Sequence, residues 1–139
     1  MTNEELALVE QLLMAGAATT QAKILGGKAE VQIASLTTGD QLGVEAEMRT
    51  VEGTPAFMVH TYSLKLVSHV LKAFTYNGKT QVFKTAADAY AFITSRPSAI
   101  VDAIIEEHTK FEKQLAALSK MENLAESFTE TPSADSKPS

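Results

Sequence analysis

The feature that most constrains this chain lies toward its C-terminus, where the run from Ala99 to Phe128 contains neither glycine nor proline. A run of about thirty residues without a breaker predicts a helix about 45 Å long at 1.5 Å per residue. Within it Ile104, His108, Phe111, Leu115, Leu118, Glu122 and Ala125 alternate steps of four and three, the heptad rhythm of packed helices, with His108 and Glu122 as polar interruptions of the seam. A domain of 139 residues is too small to cover such a helix from end to end. Either the helix folds back on the apolar helix expected at 54–74, or part of its stripe serves self-association or a client segment. Phe111, Leu115, Leu118, Met121, Leu124 and Phe128 are the expected partner-binding residues, most exposed toward Leu118, Met121 and Leu124.

The remainder of the chain reads as short elements. Thr2 and Glu5 have the spacing of a capping box, and Leu6, Val9, Leu12, Leu13 and Met14 continue at helical steps, so a helix is expected over 3–15. From Gly16 the pattern weakens through an Ala/Thr-rich run to Gln21 and ends at Gly26-Gly27, which predicts a frayed or broken helix there. Residues 28–34 alternate Lys28, Glu30, Gln32 with Ala29, Val31, Ile33, the pattern of a half-buried strand. Thr37 to Asp40 supply turn and cap chemistry for a short helix carrying Leu42, Val44 and Met48. Thr54-Pro55 then opens a helix of about twenty residues, because proline at the first helical position lacks a donor that would be unpaired anyway. Val59, Leu66, Val70 and Phe74 are expected to be its buried face at the centre of the core. Asn77-Gly78 suits either a two-residue hairpin turn or a helix cap. Thr85 begins a short helix that Arg96-Pro97 stops. Residues 129–139 hold no aliphatic side chain larger than alanine and are expected to form a flexible tail beyond a single domain at 1–128. The fold class is α+β and predominantly helical, with a small strand or hairpin element and two long helices.

Composition narrows the chemistry. With 45% apolar and 21% charged residues the chain is expected to fold. It has no cysteine, which removes disulfides, thiol nucleophiles and cysteine-ligated metals, and fits a reducing compartment. A net charge of −5 disfavours a polyanion as main partner. No apolar run approaches a membrane span, and the acids near Met1 are unlike a signal peptide, so a soluble, intracellular chain is expected. Gly26-Gly27-Lys28 falls short of a phosphate loop, since Ala22 and Ala29 stand where glycine and Ser or Thr are required. His60 and His69 lie nine residues apart, half a turn out of phase on one helix, and cannot share a metal within it. His108 lacks the partner spacings of a zincin or a di-metal bundle. No serine lies in a nucleophile elbow. A helix-turn-helix around Arg96-Pro97 would present Asp102, Glu106 and Glu107 to phosphates, which repel them. The expectation is no metal, no cofactor, no nucleic acid, no membrane and no enzymatic activity.

The order of elements resembles a family. The strand and capped helix from Lys28 to Leu42, the long helix running into Tyr76-Asn77-Gly78-Lys79, the short helix ending at Arg96-Pro97 and the long final helix are similar to the small tail assembly chaperones of tailed bacteriophages. The likeness spans about residues 28–118. It implies a non-enzymatic protein of the host cell cytoplasm that binds the long, helical tape measure protein, or other tail or baseplate proteins, during tail morphogenesis; a homo-oligomer through the C-terminal helix is expected from its apolar stripe and not from the likeness. The alternatives are a baseplate or tail component retained in the virion, and a cellular helical adaptor.

Overall fold

The computed structural model describes the backbone of residues 2–130 and the side chains of residues 2–120. The elements follow as α1 (Asn3–Ala15), β1 (Thr19–Ile24), a 3-10 turn (Leu25–Gly27), β2 (Ala29–Ala34), α2 (Thr38–Met48), α3 (Pro55–Val70), β3 (Leu71–Tyr76), β4 (Lys79–Val82), α4 (Ala86–Thr94) and α5 (Ser98–Glu130). The chain is predominantly helical α+β, as its pattern predicts.

Threonine starts four of the helices. Thr2 and Thr37 each accept from the backbone N–H three residues on, while Glu5 and Asp40 accept from the N–H of Thr2 and Thr37 in return. These reciprocal bonds satisfy donors that the first turn leaves open. Thr54 caps Phe57 ahead of Pro55, and Thr85 caps Asp88. The strands form one antiparallel sheet in the order β1-β2-β3-β4. Helices α2 and α3 intervene between β2 and β3, and the register of that pair shifts between Gln32 and Ile33. Asn77 and Gly78 both have positive φ, 54° and 76°, so the Asn-Gly pair makes a true hairpin turn.

Ala29, Val31 and Ile33 point into the helical layer, while Glu30 and Gln32 between them are half-buried. Below the sheet Val67, Val70, Leu71, Phe83, Phe92, Ile93, Val101 and Ile104 complete the main core. Phe92 touches both Phe74 and Phe83, with ring centroids 5.0 Å apart in each pair. A second, smaller cluster joins Phe111 and Leu115 of α5 to Ala18, with Leu8 and Leu12 of α1 packed on it.

Three sequence expectations are corrected. Where a frayed helix is expected after residue 15, Gly16 in the left-handed region ends α1 and β1 follows. Its inward residues, Thr20, Ala22 and Ile24, are too small or too polar at one end to show as an apolar alternation. The helix expected over 54–74 stops at Val70, and the chain turns directly into β3, where Leu71 pairs with Ile33 and Phe74 with Val31. Sheet pairing with β2 prevails over a helical periodicity that would have continued. Val70 is buried as expected and Leu66 and Phe74 are half-buried, but Val59 is 67% exposed.

Candidate partner-binding surfaces

Two histidines sit in built polar settings. His69 of α3 lies with Nε2 2.7 Å from Glu47 Oε2 and Nδ1 3.5 Å from Asp40 Oδ1, both on α2. Lys65 Nζ lies 3.3 Å from the other Glu47 oxygen and 4.5 Å from the centre of the Tyr90 ring. Gly43 leaves room for the imidazole, since a Cβ there would stand 3.2 Å from His69 Cε1. Burial pushes the Glu47 carboxyl up, and hydrogen bonds from His69 and Lys65 more than offset it, so Glu47 titrates below the ordinary value of 4.5. No hydroxyl nucleophile joins this group; it clasps α2 to α3. On α5, Glu112 Oε2 accepts the backbone N–H of Leu36 at 2.7 Å and stands 3.0 Å from His108 Nε2. That carboxylate fixes α5 to the end of β2. His60 is exposed, away from both groups. Among the described residues no three His, Cys, Asp or Glu side chains converge to hold a metal ion, and no helix is long and apolar enough to cross a membrane.

Three of the six expected partner-binding residues of α5, those whose side chains are described, are buried within the chain. Phe111 and Leu115 are buried against Ala18, Leu8 and Leu12. Leu118, expected to be among the most exposed, is 2% exposed. The expected exposure fails at Leu118, and at Phe111 and Leu115 the face is covered by Ala18 and by Leu8 and Leu12 of α1, a long-range packing that heptad spacing does not encode. Met121, Leu124 and Phe128 lie outside the residues whose side chains are described.

Free apolar surface lies instead on α1. At 100° per residue Leu6 and Leu13 fall within about 20° of each other and about 130° from the mean direction of Leu8 and Leu12. Leu6, Leu13 and Met14 are all exposed, Leu13 by 76%. Helix α1 is thus apolar on two sides, one against α5 and one facing out. The signal was present in the sequence, since Leu6, Val9, Leu12, Leu13 and Met14 span more of the helical circumference than one buried face needs.

A second surface was not foreseen. A groove of about 570 Å³ opens where the β3–β4 hairpin overhangs the junction of α4 and α5, lined by Leu25, Phe74, Tyr76, Phe92 and Ile100 with Lys79 and Arg96 among them. Arg96 stacks over Phe92 at 4.2 Å. Leu25 borders the groove from a left-handed backbone with φ 55°, a conformation costly for a residue with a Cβ. A further groove of about 440 Å³ runs between α3 and α5, past Leu66, Ile105, His108 and Glu112. No protein-family model matches the chain, and comparison with curated proteins and with solved structures gives no significant match.

Proposed function

We propose that this protein is a non-enzymatic assembly chaperone of the phage tail type, which holds a segment of the helical tape measure protein in the host cell cytoplasm while the tail forms. The observation that carries this reading is the second apolar side of α1. A helix of thirteen residues packs Leu8 and Leu12, both half-buried, against the α5 cluster, yet it also presents Leu6, Leu13 and Met14 to solvent. Rows at this spacing receive an amphipathic helix, which inserts its own side chains between them. Exposed methionine suits a surface that must accept successive, non-identical stretches of a long client. The polar groups described above hold helices and strand ends together, which is in keeping with binding as the function.

The test is co-purification of the full chain with the products of its neighbouring genes. The wild type should retain a long, helical polypeptide, and the double variant Leu6→Glu, Leu13→Glu should lose it while keeping its helical circular dichroism. Unchanged capture by a folded double variant would overturn the assignment of α1. Detection of the protein in finished particles would replace the chaperone by a retained tail component.

A further inference from the structure

Strand β4 forms an outer edge of the sheet and pairs with β3 alone. A two-residue turn closes on a pair that exchanges both backbone bonds, which here is Tyr76 with Lys79. Every second residue then faces β3 in the same way, and Phe83 does so, its N–H donating to Lys72 O at 2.8 Å. The N–H and C=O groups of Thr80 and Val82 consequently point away from the sheet. No proline interrupts this edge, its inward charge is Lys79 at the hairpin end, and Val82 is 65% exposed.

Side chains at 79, 81 and 83 share the helix-side face, since alternate residues of a strand point the same way. On that face two openings meet. The apolar groove at the hairpin end and a shallower cleft between β4 and α4 share Gln81, Phe92 and Arg96, so together they follow the edge of β4. Charge along this track is graded. Lys79 lies at the hairpin end and Arg96 where the two openings meet; no carboxylate lines the apolar groove, and neither cation is ion-paired among the described residues. Asp88 lies at the other end, in the cleft beside α4.

We infer that β4 accepts an extended segment of a partner polypeptide as a fifth strand, carrying apolar side chains on its helix-side face and a carboxylate on that face at the hairpin end. The open backbone groups of Thr80 and Val82 supply affinity, the groove over Phe74 and Phe92 receives the apolar side chains, and Lys79 and Arg96 select the acid. Every pair in the sheet is antiparallel. A segment running antiparallel to β4 brings its C-terminal end, and so its acid, to Lys79.

The probe is an acetylated, amidated heptapeptide with threonine at its odd positions, leucine at the second and fourth and glutamate at the sixth, titrated into the full-length protein and followed by amide NMR. At saturation, hydrogen exchange should slow by about tenfold or more at Thr80 and Val82 and stay unchanged at Lys79 and Gln81, which are already paired. Replacing the peptide's glutamate by lysine should weaken binding about threefold or more. Val82→Pro, which removes one outward N–H, and Arg96→Glu, an exposed charge reversal, should each weaken binding. The Leu6→Glu, Leu13→Glu variant should bind the peptide as the wild type does, which separates this site from the chaperone surface. Unslowed exchange at Thr80 and Val82, equal affinity for the lysine peptide, or no saturable shift at about 1 mM peptide would overturn the inference.

Discussion

Glu112 makes one carboxylate oxygen serve two partners, the backbone N–H of Leu36 and the imidazole of His108, across 76 residues of sequence. Glu112→Ala leaves that N–H without its acceptor and should lower stability by about 1–3 kcal/mol in urea unfolding, the usual cost of stranding a partly buried donor. An effect below about half a kcal/mol would mean that water replaces the carboxylate freely. Glu47 yields a pH dependence. Its folded-state titration lies below the ordinary 4.5, so its contribution is complete above that value and is lost as pH falls through the lower, folded one. Its side chain is 40% exposed, and screening limits the gain to about 1 kcal/mol or less. Thermal midpoints of wild type and Glu47→Gln should therefore differ near neutral pH and converge in acid; a constant difference would remove the carboxylate charge from the account. Leu25 is the residue whose backbone is least comfortable. Leu25→Gly relieves a left-handed conformation but gives up the covered part of a side chain that is 39% exposed, so the two effects offset and stability should shift by less than about 1 kcal/mol while peptide binding at the β4 edge weakens.

Between α1 and α5, spacing and packing have to be separated. Leu115 and Leu13 are both leucines at regular helical positions, yet one is buried and the other faces solvent. Leu115→Ala should cost about 2–4 kcal/mol, the range for a cavity in a closed core, and Leu13→Ala no more than about 0.5 kcal/mol. Chemical denaturation decides between them, and similar costs would mean that α1 buries both of its faces. Heptad steps identified Phe111, Leu115 and Leu118 as one stripe, which the structure keeps as one face of α5. Whether that face meets solvent or α1 depends on a contact between segments about a hundred residues apart, and periodicity carries no information about it. For α3 the reverse holds. Its start was legible from Thr54-Pro55, whereas its end at Val70 was not, because Val67, Val70 and Leu71 suit a helix as well as the strand that pairing with β2 imposes.

For the molecule as a whole, the division of the interior into a large cluster beneath the sheet and a small one between α1 and α5 predicts graded behaviour. Removing residues 2–16 should leave the sheet core folded and expose Phe111 and Leu115, which sedimentation should register as self-association; loss of all structure would make the two clusters one cooperative unit. The helix starts at Thr2, Thr37, Thr54 and Thr85 and the alternation of β2 were readable in advance, because each rests on hydrogen bonds or backbone preferences within a few residues of one another, whereas Asn77-Gly78 announced a turn without deciding between a hairpin and a helix cap. Strand β1 was not readable, because Thr20 and Ala22 hide its alternation although its partner β2 follows directly, and the early end of α3 and the burial of Leu118 were not, because neighbours distant in sequence set them. The same division holds for the surfaces. The excess of leucine and methionine on α1 can be counted along the chain, but the groove at the β4 edge draws on Leu25, Phe74, Lys79, Arg96 and Ile100 from five separate elements and turns, and their convergence exists only once the sheet and helices have packed.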